Sequence, residues 1–219
     1  MKQIDILMKC PLFKGMQEFE IHNILNCFHP KIVNCSKDQT IFFIGDSVNS
    51  VGIVLSGVVQ ISKENIYGDK TILTEVTQSD LFAETFVCAG ISEIPVNVTA
   101  MSDCIVLFIN FKKMITECEN ACVFHTKLIE NMMRIIAYKN LLLNQKLEVV
   151  SGRTIREKLE AYFNQQRQKQ NACTFHIPFS RQELADYLCV DRSALSRELC
   201  KMRDEGVIAF EKNRFSVLF

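Results

Sequence analysis

Apolar positions between residues 32 and 111 fall in short runs that are separated by glycine, aspartate, asparagine or serine. The runs are rich in β-branched residues, and turn residues recur about every 8–12 positions, which is typical of antiparallel sandwiches and barrels. The first thirty residues instead carry apolar side chains at helical spacing. The predicted strands are 39–44, 51–55, 58–61, 71–76, 96–99 and 104–109, with a turn at 65–69.

The pattern changes between residues 120 and 150, which contain no proline and no glycine. Two apolar stripes run along this predicted helix, so it needs two partners. One stripe is expected to pack on the β domain and the other on a second copy of the chain; a helix buried inside a monomer is the alternative. The seam predicted to pair two copies is Ile129, Met133, Ile136, Asn140, Leu143 and Leu147, and the second stripe is Phe124, Leu128, Met132, Ile135 and Leu142.

A domain boundary is predicted directly after this helix. Gly152 disfavours helix, and Thr154 followed three residues later by Glu157 resembles a capping box that starts a new helix. We expect a hinge here. The chain then divides into a β domain at 1–118, a dimerisation helix at 119–150 and a C-terminal domain at 151–219.

Two short helices and a tight turn are predicted in the C-terminal domain. Ser180 with Glu183 forms a capping box for the first helix, and Asp191 caps a second helix that runs to Met202. A hairpin is predicted at 207–218, around Glu211-Lys212-Asn213. Paired helices of this kind place the second helix in the major groove of DNA, and the hairpin would be a wing.

Arginine suits this role because it can form bidentate bonds to guanine, while serine and lysine can contact phosphates. A solvated helix surface is the alternative interpretation, but it ignores the agreement between caps, turn and wing. The residues predicted to contact DNA are Ser180, Arg181, Gln182, Arg192, Ser193, Ser196, Arg197, Lys212 and Arg214.

Charge is distributed in agreement with this interpretation. The chain has 25 basic and 25 acidic residues, but the part after residue 150 has 12 basic and 9 acidic ones. A basic C-terminal domain beside an acidic remainder is expected where only one domain faces phosphate. The ten cysteines, the absence of a signal-peptide pattern and the short apolar runs together predict a cytoplasmic protein with free thiols and no membrane partner.

The segments RQELAD, DRSALSREL and EGVI resemble the helix-turn-helix of the Crp/Fnr family of bacterial regulators. CPLFKGM, FFIGDSVNSVGIVLSGVVQIS and DLFAET resemble the cyclic-nucleotide-binding-type β-roll of the same family. The resemblance implies an α+β fold: an N-terminal antiparallel β-roll of the double-stranded β-helix or jelly-roll type, a long dimerisation helix and a C-terminal winged helix-turn-helix. It also implies a homodimer, a pseudo-palindromic operator in double-stranded DNA, and RNA polymerase as a partner.

The sequence departs from that family at two positions of the helix-turn-helix. Ser193 stands where many members have a glutamate as the second residue of the recognition helix, so a different operator is expected. Cys189 stands where the turn usually has glycine, which suggests a turn that tolerates a small side chain.

The ligand cassette departs further. Cyclic-nucleotide-binding relatives use a Gly-Glu pair and an Arg-Ser pair; this chain has Ala83-Glu84 and Ile94-Pro95. A buried phosphate without its cation is strongly unfavourable, so cyclic AMP binding is not expected. An unidentified small apolar effector in the β-roll beside the long helix, or no effector, is left open. The predicted pocket residues are Phe82, Glu84, Thr85, Val96, Met132 and Met133.

No cofactor or metal is predicted. Cys10, Cys27 and Cys35 are far apart, and Cys118 with Cys122 supplies only half of a cluster site. A haem held by His22, His29, His125 or a cysteine is conceivable, but no spacing supports it. No catalytic motif is present, so an enzyme is not expected. The rival interpretation is a ligand-binding, redox-sensing or haem-sensing dimer with vestigial DNA binding. Activation or repression, and the genes controlled, are left open.

Overall fold

The computed structural model describes residues 2–64, 70–116 and 123–218. Within them the chain divides into two compact units, Met1–Ala137 and Tyr138–Phe219, and the division falls inside one long helix. Among the described residues, no helix is both long enough and apolar enough to cross a membrane. The predicted turn at 65–69 and the pair Cys118 and Cys122 lie outside the described residues.

The first unit begins with two helices and a single 3-10 turn at Pro11–Phe13, followed by eight strands and two short helices. Its helices are α1 (Lys2–Lys9), α2 (Glu18–Phe28), α3 (Glu84–Cys88) and α4 (Phe111–Ile115). Its strands are β1 (Lys31–Cys35), β2 (Thr40–Phe42), β3 (Ser50–Ser56), β4 (Val59–Glu64), β5 (Lys70–Val76), β6 (Leu81–Phe82), β7 (Asn97–Ala100) and β8 (Cys104–Asn110).

Two four-stranded antiparallel sheets form the roll. One has the order β1-β8-β3-β6 and the other β2-β7-β4-β5. β1 pairs with β8 from Lys31 opposite Phe108 to Cys35 opposite Cys104. The predicted β-roll is confirmed; β1 and the two-residue β6 were missed as strands because neither gives a long alternating pattern.

Two apolar cores flank the sheets of this unit. One lies inside the roll and includes Val54, Phe82, Ile94 and Val106. The other lies outside the roll, where α1 and α2 pack against the β1-β8-β3-β6 sheet and the long helix. Leu128 and Met132 of that helix are buried in this second core. The second apolar stripe therefore packs on the β domain as predicted, except that Leu142 is 45% exposed.

The second unit contains α6 (Ile155–Gln170), α7 (Arg181–Leu188) and α8 (Arg192–Asp204) with a three-stranded sheet. The strands are β9 (Thr174–His176), β10 (Ile208–Glu211) and β11 (Arg214–Val217), in the order β10-β11-β9. Its core is rich in aromatic residues. Tyr162 and Phe163 of α6 are each 1% exposed and contact the rings of Phe175, Phe179, Tyr187 and Phe215.

The long helix, α5 (Val123–Val150), ends where it was predicted to end. Its last turns belong to the second unit: Val149 is buried in that unit's core, and Lys146 Nζ lies 3.3 Å from the centroid of the Tyr187 ring. Thr154 caps α6 by accepting a hydrogen bond from the Glu157 N–H, as predicted. The division between the compact units thus falls between Ala137 and Tyr138, in the middle of α5. The boundary predicted at Gly152 lies just after the end of this helix.

Candidate nucleic-acid interface

The first helix of the predicted pair, α7, begins at a complete capping box. Ser180 Oγ accepts a hydrogen bond from the Glu183 N–H at 3.3 Å, and the Glu183 carboxylate accepts one from the Ser180 N–H at 2.7 Å. The hydrogen bond from the Ser180 backbone to the Glu183 carboxylate, followed by one from the Ser180 side chain, lowers the pKa of Glu183, and the carboxylate is ionised near neutral pH. Leu184, Ala185 and Leu188 are buried beneath α7. The predicted start of this helix is confirmed.

The turn between α7 and α8 depends on a left-handed residue. Cys189 has φ 53° and ψ 55°, a conformation that glycine adopts at much lower cost. The N–H of Val190 donates to the Ala185 carbonyl at 3.0 Å, which closes the turn. Lys158 of α6 donates to the Leu188 carbonyl at 3.1 Å. The usual glycine is therefore replaced by a residue that keeps the glycine conformation.

The second helix, α8, starts at Asp191. Its carboxylate accepts hydrogen bonds from Ser193 Oγ at 2.5 Å and from the Ala194 N–H at 2.8 Å, and both lower its pKa. Leu195 and Leu199 are at most 1% exposed and hold the inner face of the helix. The helix is thereby fixed in rotation, which decides which side chains point outward.

The outward face begins with the residues predicted to read DNA. Arg192, Ser193 and Arg197 are exposed and Ser196 is half-buried. They follow one another at i, i+1, i+4 and i+5, so they share one side of the helix. Lys201 continues this face one turn later and was missed in the sequence. Lys201 follows Arg197 by four residues, and this helical spacing was the indication in the sequence that both lie on one face.

The last turn of α8 and its C-cap carry charges of both signs. Asp204 and Glu205 are exposed there. Glu205 forms an ion pair with Arg156, with Oε2 2.6 Å from Nη1. That pairing raises the pKa of Arg156. Basic residues thus lie along the whole of this helix, and Arg192 and Arg197 lie in its first half, the part that contacts base edges in helix-turn-helix proteins.

The predicted hairpin is formed by β10 and β11. Glu211 lies opposite Arg214, and Lys212 with φ 51° makes the turn between them. Lys212 and Arg214 are both exposed. The strands differ from the predicted ones by one or two residues, and their tip presents two basic side chains to solvent.

Arg181 has a different environment from the other predicted DNA-contacting residues. Its guanidinium lies 5.1 and 4.8 Å from the ring centroids of Phe210 and Phe215, and Nη2 donates to the Lys212 carbonyl at 2.8 Å. Burial lowers its pKa. Arg181 therefore connects α7 to the wing and is a residue that positions the tip. Gln182 is exposed and donates to Asp186 at 2.9 Å.

The six residues predicted to line an effector pocket do not lie together. Phe82 and Val96 are at most 3% exposed in the interior of the roll. Met132 is buried in the other core, whereas Met133 is 67% exposed. Phe82 and Val96 thus lie in one apolar core and Met132 in another, and the role of the six residues in effector binding stays a prediction.

The remaining pocket candidates, Glu84 and Thr85, begin helix α3. Glu84 is 3% exposed, and Thr85 Oγ1 donates to its Oε1 at 3.1 Å. The preceding residue, Ala83, has φ 64°, the conformation that explains the glycine of cyclic-nucleotide-binding relatives. Side chains pack closely at one point of the roll interior beside α3. The Phe82 ring lies so close to Gly52 that a Cβ there would be 2.3 Å from Cζ.

An apolar groove of about 390 Å³ lies beside α5 in the first unit. It contains Met132 and Met133 from the predicted pocket, and the seam residues Ile129 and Ile136 also line it. The other lining residues come from α3 and α4 and include Cys88 and Phe111. The groove is thus continuous with the predicted dimerisation seam.

The histidines and cysteines that were considered as cofactor ligands lie apart. Within 2–64, 70–116 and 123–218, no three histidine, cysteine or acidic residues cluster as a metal site would require. His22 is exposed near Glu18, and buried His125 stacks on Phe28 with ring centroids 4.9 Å apart. Cys10 and Cys35 belong to different cores.

Two domain families match the chain. The cyclic nucleotide-binding domain matches residues 32–121, and the Crp-like helix-turn-helix domain matches residues 157–218. Together they cover the β-roll and the paired helices in the order seen in one family. The chain belongs to the Crp/Fnr family of transcription regulators. This is a family of regulators with a helix-turn-helix DNA-binding domain, not of enzymes.

Three proteins that are similar to this chain are each less than 25% identical to it. The transcriptional activator protein FnrL of Cereibacter sphaeroides is 23% identical over 200 residues, which cover 82% of this chain and 73% of FnrL. The c-di-GMP-responsive global regulator CLP of Xanthomonas campestris is 16% identical, with 93% of this chain and all of CLP covered at a TM-score of 0.53. DNR of Pseudomonas aeruginosa is 19% identical, with 98% and 93% covered at 0.50. The two structures support the Crp/Fnr fold.

Proposed function

We propose that this Crp/Fnr-family regulator acts as a homodimer that binds a pseudo-palindromic operator through α8 and the wing. One observation carries the proposal: an exposed basic face, Arg192 to Arg197, at the capped start of a helix whose inner face is buried. Arg197 and Arg192 read bases, the serines contact base edges or phosphates, and Lys212 and Arg214 contact the backbone. Arg181 holds the wing in place for these contacts.

The seam on α5 supports the homodimer. Met133, Leu143 and Leu147 are 67%, 69% and 62% exposed, although side chains of this type are normally buried. They follow the spacing of a two-stranded coiled coil, together with Ile129, Ile136 and Asn140. Asn140 is exposed and accepts a hydrogen bond from Asn144 at 2.7 Å. A polar residue on such a seam fixes its register at some cost in stability.

A second copy of the chain would cover the seam and part of the adjoining apolar groove. Pairing along α5 would also set the spacing of the two recognition helices. Family geometry places them about 34–36 Å apart, one turn of DNA. RNA polymerase is the expected partner of the DNA-bound dimer.

The first unit, Met1–Ala137, is the proposed sensor unit, and it is proposed to have lost the cyclic-nucleotide site. Ile94 stands where relatives have the phosphate-binding arginine, and it is 1% exposed in the apolar interior. The ring of Phe82 occupies the same interior and contacts Phe108, with ring centroids 5.9 Å apart. A cyclic phosphate here would be buried without a cation, which is strongly unfavourable.

The test selects binding sites from random double-stranded DNA with the purified full chain and measures affinities by fluorescence anisotropy. We expect a two-fold-related site that loses affinity when five base pairs are inserted between its halves. Arg197→Ala should reduce discrimination at one base pair of each half-site by about 5- to 150-fold. Arg203→Ala is the matched control, since Arg203 lies in the last turn of α8 and pairs with Asp204 at 2.9 Å.

Two results would contradict the proposal. One is that no sequence is enriched and binding falls uniformly as salt rises, which indicates phosphate contact alone. The other is that half-sites at every spacing are bound equally well. Calorimetric titration with cyclic AMP should give no heat of binding at a low-salt condition where DNA binds.

A further inference from the structure

Two buried cysteines face each other in the sensor unit. Cys35 ends β1 and Cys104 begins β8, and the two residues are direct partners in the antiparallel ladder. They are 4% and 3% exposed. Directly opposed residues of an antiparallel pair have side chains on the same face of the sheet. The two thiols therefore lie side by side beneath one sheet.

The ladder geometry suits a disulfide. Opposed residues have Cα atoms about 4.5 or 5.5 Å apart, depending on the class of pair, and disulfides span Cα distances of about 4.4–6.8 Å. No change of register is needed to join the sulfurs. A larger residue than Gly57 would crowd Cys104, because a Cβ at Gly57 would lie 2.6 Å from the Cys104 Cβ.

We propose that Cys35 and Cys104 form an oxidisable dithiol site that hydrogen peroxide converts into a disulfide between β1 and β8. The site lies one residue from exposed Ser36 and Asp103, so a molecule as small as peroxide has a short path to it. β1 is the edge strand of its sheet, and the disulfide would fasten that edge to its neighbour.

The reaction balances without a further reactant. One thiolate attacks a peroxide oxygen, the O–O bond breaks, and the released hydroxide takes a proton to become water. The resulting sulfenic acid is attacked by the opposing thiolate; the S–S bond forms, the S–O bond breaks, and a second water leaves. The two thiols lose two electrons and two protons, and peroxide is reduced to two waters.

Burial sets the rate of this reaction. Desolvation, followed by the neighbouring Cys35 thiol, raises the pKa of Cys104 to about 11. Since the thiolate is the reactive form, oxidation should be slow at pH 7 and accelerate by roughly tenfold per pH unit up to pH 9. Exposed Cys173, Cys189 and Cys200 lack this burial and should be oxidised first.

The experiment treats the folded full chain with hydrogen peroxide, alkylates the remaining thiols after denaturation, and maps peptides without reduction. We expect a linked peptide pair containing Cys35 and Cys104, with a loss of about 2 Da that dithiothreitol reverses. The thermal midpoint of the sensor unit should rise by about 5–15 °C, since the bond closes a long loop. Cys35→Ser and Cys104→Ser should each abolish both effects.

Cys10→Ser is the matched control. Cys10 is fully buried, and burial raises its pKa to about 12, but it belongs to the core outside the roll. This variant should still form the linked pair. The proposal is overturned if the wild-type chain, folded and peroxide-treated, keeps Cys35 and Cys104 as free thiols while its exposed cysteines are oxidised. It is also overturned if the pair forms only after unfolding. Both results are independent of whether the protein binds DNA.

Discussion

Leu143→Ala is expected to weaken the proposed dimer more than the same substitution at an exposed leucine outside the α5 seam. Leu143 is 69% exposed in the single chain. Full burial of a leucine side chain contributes about 1.5–3 kcal/mol, so covering the exposed two-thirds contributes about 1–2 kcal/mol. In the proposed dimer the seam is two-fold symmetric, and each dimer would therefore lose this contribution twice, about 2–4 kcal/mol in total. That corresponds to a dimer dissociation constant about 30- to 1,000-fold higher.

Sedimentation equilibrium over a range of protein concentrations measures this constant directly. Leu73→Ala provides the control, because Leu73 is 53% exposed on β5 and, among the described residues, the sheet of β5 contributes none to the core that contains Met132 of α5. Circular dichroism should show unchanged helix content in both variants at a concentration where wild type is dimeric. If Leu143→Ala and Leu73→Ala dissociate at the same concentration as wild type, the seam on α5 does not hold the dimer.

Three further changes test individual features. Cys189→Gly should raise the unfolding free energy by up to about 1 kcal/mol in urea titration, because it relieves the left-handed strain at φ 53°; Cys189→Ala keeps that strain and should show no such gain. Burial lowers the pKa of His125, so below a pH of about 6.5 the unfolded chain binds a proton at this residue more readily than the folded chain does, and wild type loses stability as the pH falls. His125→Phe should abolish this loss. An equal dependence of the unfolding free energy on pH in both proteins would contradict this. Arg181→Met should lower the unfolding free energy by about 1–3 kcal/mol, since the Lys212 carbonyl loses its charged donor; a weakening of DNA binding without any loss of stability would instead indicate direct contact with DNA.

Caps and the order of elements could be predicted because they depend on neighbours along the chain. Ser180 and Glu183 are three residues apart, and so are Asp191 and Ala194, so each cap was visible as a short spacing. The apolar period of α5 likewise follows from the sequence, and its two stripes differ in the structure as expected: Met132 is buried and Met133 is exposed.

The placement of the effector candidates could not be predicted in this way. The family resemblance places Phe82 in the β-roll and Met132 on the long helix beside it. Both side chains are large and apolar, which suggested one pocket. The sheets separate them into two cores, one between the sheets and one outside. Which side of a sheet a residue faces depends on register, and one shift in register reverses it.

The Crp/Fnr family, the β-roll, the long helix and the basic face of α8 were all predictable from the sequence, because local spacing and motif residues specify each of them. Two contacts became known from the fold alone: Arg181 donates to the Lys212 carbonyl, 31 residues away, and Cys35 lies opposite Cys104. These contacts join residues far apart in the chain. Their geometry follows from how strands pair and helices pack, and no local pattern records it.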